Sequence, residues 1–190
     1  ALKDHDAAVR RSVVEALTEL SDERAVEPLI LALKDHDKKV ITNVADSLSK
    51  FGDERAVVPL TNTLKNHDVD VQISAIRALG KLRDTRAVEP LIIMVGNTQS
   101  KVQVEVAKAL GNIKDRRAAD SLRILLENQD EDVCEQAIIA IGRIGVMEVI
   151  DRLVHVISQF SEYKRTRIIR VLSEESQSEF KMELKQRDVI

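Results

Sequence analysis

The sequence predicts an all-α, right-handed α-solenoid built from stacked helix pairs, and three observations predict it. A 31-residue period runs along the chain without insertion. Within each period the apolar residues fall at helical spacing, i, i+3, i+4, i+7. The composition is rich in Ala, Leu, Val, Ile and charge, with only 6 Gly and 3 Pro in 190 residues, too few for a loop-rich or all-β protein.

The period is read from two strings. ALKDHD at 1–6 returns as ALKDHD at 32–37 and TLKNHD at 63–68, then in the same phase as MVGNTQ at 94–99, LLENQD at 125–130 and VISQFS at 156–161. DERAVEPL from Asp22 returns from Asp53 as DERAVVPL, from Asp84 as DTRAVEPL and from Asp115 as DRRAADSL, with a degenerate fifth copy, VMEVIDRL, from Val146. Each unit reads as two helices. First helices are expected near 24–35, 55–66, 86–96, 117–128 and 147–159, and second helices near 7–20, 38–51, 69–82, 100–113, 131–144 and 162–174. The second helix buries positions equivalent to Val9, Val13, Ala16, Leu17 and Leu20, one helical face. Position 17 recurs as Leu48, Leu79, Leu110, Ile141 and Leu172.

Helix starts are marked by carboxylates. Asp6, Asp37, Asp68 and Asp130 precede second helices and Asp22, Asp53, Asp84 and Asp115 precede first helices, where a side-chain oxygen can accept from free backbone N–H groups. Pro28, Pro59 and Pro90 must lie in a first turn, because proline lacks the N–H that an interior position needs. A short 3₁₀ turn at 23–25 with the α-helix beginning near Val26 satisfies both.

A single helix pair cannot bury its own apolar stripe, so neighbouring pairs must stack. Residues 1–175 are expected to form one repeat domain, with six layers at roughly 8–10 Å giving a curved rod of about 50–60 Å. The chain opens at the tail of a first helix, as a fragment of a longer array or a half-repeat cap would. Residues 176–190 fall outside the pattern and are expected to be a C-terminal cap or tail.

The formal net charge of −3 argues against coating of nucleic acid. No window approaches 18 uncharged apolar residues, and ALKDHDAAVRR has no apolar run of a signal peptide. The single cysteine, Cys134, suits a reducing compartment and a cytoplasmic location.

The strings DERAVEPLILALKDHD and DVQISAIRALGKLRDTRAVEPL resemble the phycocyanobilin-lyase type of HEAT-like repeat, over roughly residues 1–160. The resemblance implies an α-solenoid that binds other proteins. Some members are subunits of bilin lyases, related arrays with paired His-Glu motifs are di-iron hydroxylases, and distant relatives are DNA glycosylases. It carries shape further than activity.

No catalytic, metal or cofactor site is expected. His5-Asp6, His36-Asp37 and His67-Asp68 are metal-ligand types, but equivalent residues of adjacent layers stand about 8–10 Å apart, whereas zinc ligands lie about 2.0–2.2 Å from the metal. The Asp residues cap helices instead, and His-Glu occurs nowhere. Cys134 sits among Glu131, Asp132 and Glu135, which raise a thiol pKa, and is expected to be inert. His155 reads as a packing or surface residue. Gly142-Arg-Ile-Gly145 falls where a helix ends, where glycine is ordinary. Arg24, Arg55, Arg86 and Arg117 repeat so regularly that pairing with a capping Asp outweighs an anion ladder.

Recognition is expected where the repeats differ. The pole opposite the core comprises positions 11, 15 and 18 of each second helix, on the concave face that the resemblance implies. Ile73, Arg77, Val104, Lys108, Ile139, Arg143 and Arg170 on that face are expected to bind a protein segment with apolar and acidic character. Position 18 is always small, admitting either a partner's backbone or the next helix. The basic cluster Lys164, Arg165, Arg167 and Arg170 is flanked by Glu162, Glu174, Glu175 and Glu179 and reads as a mixed-charge cap. The function expected is a non-enzymatic protein-binding scaffold; a bilin-lyase subunit and a nucleic-acid binder are the alternatives, and a membrane partner is not expected.

Overall fold

A computed structural model describes residues 2–189, which are all-helical with no strand among them. They form two compact units that divide between Pro90 and Leu91. The first contains α1 (Ala7–Leu20), α2 (Val26–Ala32), α3 (Lys38–Phe51), α4 (Val57–Thr63) and α5 (Val69–Leu82). Helix α6 (Val88–Met94) spans the division. The second contains α7 (Ser100–Ile113), α8 (Ala119–Leu125), α9 (Glu131–Ile144), α10 (Ile150–Gln159), α11 (Glu162–Glu175) and α12 (Ser178–Gln186).

Each first helix is entered through a 3₁₀ turn, Glu23–Ala25, Glu54–Ala56, Thr85–Ala87, Arg116–Ala118 and Met147–Val149. The tighter turn lets an Asp cap the chain and still leaves Pro28 and Pro59 in the first turn of α2 and α4, where a missing N–H costs nothing. The second helices α1, α3, α5, α7 and α9 end on a left-handed residue, Ser21, Gly52, Arg83, Lys114 and Gly145, whereas α11 ends on the extended Ser176. The carbonyl four residues back is then satisfied at Leu48, Leu79, Leu110 and Ile141.

In the first unit α1, α3 and α5 pack in succession, with α2 laid on α3 and α4 on α5. In the second, α9 packs between α7 and α11, with α8 beside it. Leu29, Leu48, Leu60, Ile76 and Leu79 are fully buried in the first unit, and Leu110, Leu122, Ile138 and Ile141 in the second. The buried face is wider than the sequence reading gave it. Position 14 also belongs to it, as Val14, Ala45, Ile76, Ala107 and Ile138, all buried. Apolar residues at that position in every repeat were the signal. In α1, by contrast, Val9 and Leu20 are 41% and 72% exposed, so that helix buries only Arg10 and Val14.

Helix α12 fully buries Phe180 and Leu184. The turn before it is tied to α9: the Gln177 N–H donates to the Gly142 carbonyl and its side-chain amide to Ile144 O at 2.7 Å. No helix among the described residues is long and apolar enough to cross a membrane.

Candidate functional site

The repeated charges are spent on the framework. Asp6, Asp37, Asp68 and Asp130 cap α1, α3, α5 and α9, each accepting from a backbone N–H two or three residues on. Gln99, before α7, caps nothing with its side chain. Asp22, Asp53, Asp84 and Asp115 cap the 3₁₀ turns, and each also pairs with the arginine two residues later. Hydrogen bonds from the Arg24 guanidinium and its N–H hold Asp22 down at about 2; Asp53, Asp84 and Asp115 are lowered in the same way, with the arginine side chain foremost. Arg55 reaches Glu27, and Arg86 the Glu54 carbonyl, one layer back. The arginine ladder is a structural clasp.

A second framework series sits at position 10. The Gln72 amide donates to the carbonyls of Leu64 and Asn66, and the Gln103 amide to Val95 O. The Cys134 thiol does the same to Asn128 O at 2.9 Å and Leu126 O, and Arg165 to Phe160 O. These are end-of-helix carbonyls that would otherwise be unpaired. Arg10 belongs to the series: one guanidinium nitrogen donates to the Asp4 and His5 carbonyls, and the other two hold Asp35 at 2.7 and 2.8 Å. The pair is nearly dry, with side-chain exposures of 3% and 7%. Recurrence of polar residues on the edge of an apolar stripe was the only sequence trace of this latch.

Cys134 is therefore a latch residue, buried at 6% exposure, and burial foremost pushes its thiol pKa up. A thiol reagent such as dithionitrobenzoate is expected to modify it only after denaturant unfolds the chain. Rapid stoichiometric reaction of the native protein near neutral pH would contradict that reading.

The histidines are dispersed. His5, His36 and His67 are exposed, His36 lying 3.6 Å from Asp35. His155 is exposed on α10 beside Gln159. Among the described residues no three His, Cys, Asp or Glu side chains are grouped to hold a metal ion.

The ridge of positions 11, 15 and 18 divides between the two units. In the first, Arg77 is exposed on α5 and Ile73, one turn before it, is half-buried. In the second, Val104 and Lys108 are half-buried on α7, with the Lys108 ammonium 3.0 Å from the largely buried Glu105. Arg170 is exposed on α11.

Ile139 departs from the expectation: it is 7% exposed and belongs to the interior. One turn before it, buried Glu135 is bound by Arg167 of α11; one turn after it, Arg143 bonds Glu175 at 2.6 Å and Asn112 at 2.8 Å. These two ties draw α11 against α9 and enclose the isoleucine between them. Arg143 is for the same reason a structural residue with a 23% exposed side chain, not an open contact.

The small residues of position 18 face the next second helix, at its position 16 for Thr18 and Gly111 and at Leu172 and Ser176 for Gly142. Thr18 Oγ1 donates to Ser47 Oγ at 2.6 Å. A Cβ placed on Gly111 would lie 2.8 Å from Ala140 Cα, and one on Gly142 would lie 2.5 Å from Leu172 Cδ2 and Ser176 Oγ. Smallness here serves helix packing. Gly142 thus has a packing role inside α9, and only Gly145, at φ +76°, ends the helix.

Two members of the basic cluster of α11 are neutralised by α9, Lys164 by Glu131 and Asp132 and Arg167 by Glu135, while Arg165 is spent on the Phe160 carbonyl and Arg170 stays exposed. The acidic partners lie one repeat back, not in the flanking residues that the sequence offered.

The model of the HEAT-repeat family matches residues 1–71 and 57–137. Among solved structures the chain is similar to one in the complex of CpcE and CpcF of phycocyanin lyase from Nostoc sp. PCC7120, with 24% identity, a TM-score of 0.70, and coverage of 88% of this chain and 71% of that one. It is also similar to an engineered protein, with 21% identity, a TM-score of 0.61, and coverage of 90% and 92%. A designed armadillo repeat protein in complex with the peptide (KR)4 shares 16% identity at a TM-score of 0.58, with coverage of 99% and 93%. No curated protein matches it. At these identities the structural likeness speaks for the fold.

Proposed function

The chain belongs to the HEAT-repeat family, and from that premise we propose that it is a non-catalytic scaffold that binds a partner protein through the exposed positions of its second helices. One observation carries the reading. Positions that recur unchanged are consumed by caps, clasps and helix packing, whereas position 15 changes from Glu15 and Asp46 to Arg77, Lys108 and Arg170, all exposed except the half-buried Lys108, with only Ile139 drawn into the interior. Variation on an exposed ridge over a uniform frame is how repeat arrays acquire different partners. The contact residues proposed are Ile73 and Arg77 in the first unit and Val104, Lys108 and Arg170 in the second. The peptide held by the designed armadillo protein is consistent with recognition on such a fold.

The test is affinity capture on the immobilised chain, comparing wild type with Arg77→Ala and Arg170→Glu. Both sites are exposed, so the melting temperature should be nearly unchanged, surface substitutions costing within about 0.5 kcal/mol. Capture of the principal partner should fall severalfold. An unaltered set of captured proteins with both variants would refute the placement.

The likeness to the CpcE–CpcF complex favours a second reading, a phycocyanobilin-lyase-type subunit that assists bilin attachment with a partner repeat subunit. A shift in the visible absorption of phycocyanobilin on mixing with the chain would support it, and an unshifted spectrum would count against it.

A further inference from the structure

The first helices carry exposed aliphatic side chains that the framework does not use. Leu31 on α2 is 67% exposed and Val58 on α4 is 57% exposed. Both line a groove of about 480 Å³ between these helices, together with Ile30 and Pro59. Lys34 and Lys65 line its loop end, Leu33, Asn62, Thr63 and Asn66 make up the rest, and no carboxylate contributes to it. Both lysines are exposed, and neither has an ion-pair partner among the described residues.

The second unit has a groove between α8 and α10 with a different lining: Arg123, Ile124, Glu127, Glu148, Val149 and Arg152. Its charges are all paired, Arg152 with Glu127 at 3.0 Å inside the groove, and Glu148 with Arg116 at 2.8 Å and Arg123 with Asp120 at 3.8 Å at its margin. The frame thus provides a furrow between first helices in both units, and only in the first is it apolar with unspent positive charge.

We propose that the α2–α4 groove docks an acidic amphipathic helix of a partner protein. Two short helices side by side offer a trough for a third, whose aliphatic residues one turn apart settle against Leu31 and Val58. Asp or Glu residues at one end of that helix meet Lys34 and Lys65, which sets its direction and disfavours basic competitors. The site lies on the first helices, separate from the second-helix ridge of the proposed function, so either can fail alone.

The probe is a fluorescein-labelled synthetic peptide of Leu, Glu and Ala, about 15 residues long, the length at which an isolated helix becomes viable. Its Leu residues are placed at i and i+4. Fluorescence anisotropy with the full chain should show saturable binding, and the same peptide with Lys for Glu should bind at least about tenfold more weakly. Leu31→Asp and Val58→Asp should each weaken the Glu peptide at least about tenfold, as loss of a buried aliphatic contact does. Lys34→Glu with Lys65→Glu should weaken it and flatten its salt dependence. Ile124→Asp, Arg77→Ala and Arg170→Glu should leave it unchanged, with circular dichroism reporting an intact fold throughout. No binding, equal binding of both peptides, binding indifferent to Leu31→Asp, or equal loss with Ile124→Asp overturns the proposal. So does a dimer in sedimentation velocity that Leu31→Asp abolishes, since the groove would then hold a second copy of this chain.

Discussion

Asp35→Ala is expected to lower the unfolding free energy by about 3–5 kcal/mol, the range for removing one partner of a buried ion pair. Urea denaturation followed at 222 nm measures it. The substitution leaves the Arg10 guanidinium in a site where only 3% of its side chain meets water, with the Asp4 and His5 carbonyls and, at 3.3 Å, the His36 Nε2 nitrogen as remaining partners. It also removes the acceptor for the Asp37 N–H, 2.8 Å from Asp35 Oδ1. The neighbouring repeats supply a remedy. At the equivalent positions of the second unit, Asn128 donates to Gln103 at 2.9 Å, Gln103 donates to Val95 O, and Asn128 accepts from the Asp130 N–H. The double variant Arg10→Gln with Asp35→Asn should therefore stand within about 1 kcal/mol of wild type, because every polar group regains a partner and no charge is buried. A double variant as unstable as Asp35→Ala would show that the ionic character itself is indispensable.

The same pair gives a pH signature. Burial opposes ionisation of Asp35, but the bond from Arg10 and the Asp37 N–H outweigh it, so its pKa is held below the usual carboxylate value. A depressed folded-state pKa means the pair stabilises fully above the unfolded value, about 3.9, and the contribution fades as pH falls through the folded value. The stability gap between wild type and Asp35→Ala should accordingly be largest near neutrality and shrink below about pH 4. Asp22, held at about 2, adds acid sensitivity in the same direction.

The fold class was legible because a repeat multiplies weak signals: one Asp before an apolar run is ambiguous, and the same Asp every 31 residues is a cap. Pro28 and Asp22 together were enough to place the 3₁₀ turn at Glu23–Ala25. The surface was less legible, because a helical wheel assigns one direction to all repeats and cannot see what a neighbour brings. Position 15 is exposed as Glu15, Asp46 and Arg77, yet the same position is interior at Ile139, where the ties of Arg167 and Arg143 pull α11 in. Position 18 was ambiguous for a related reason, since smallness has the same appearance whether a partner or a neighbouring helix is the cause. The α2–α4 groove left no mark in the periodicity, because Leu31 and Val58 are exposed aliphatics outside the core stripe.

That ambiguity at position 18 has a decisive test. Gly111→Leu is expected to destabilise the chain by about 3 kcal/mol or more, the upper end of overpacking penalties. Its Cβ alone would stand 2.8 Å from Ala140 Cα and 2.9 Å from Ala140 Cβ, and a backbone atom cannot rotate aside, so α9 would have to move away from α7. Gly142→Ala meets only the ends of side chains, Leu172 Cδ2 and Ser176 Oγ, which can turn. It should therefore cost less than Gly111→Ala, although both gain about 1 kcal/mol of helix propensity. Gly52→Ala is the control: it meets nothing within 4 Å and costs only its left-handed φ of +67°, about 1 kcal/mol. Ser21, Arg83 and Lys114 hold the same conformation at the equivalent positions. If Gly111 were small to admit a partner's backbone, Gly111→Leu would keep its melting temperature and lose only binding. The order Gly111→Leu, Gly111→Ala, Gly142→Ala in thermal unfolding, with the first lowest, assigns the residue to the contact between successive second helices.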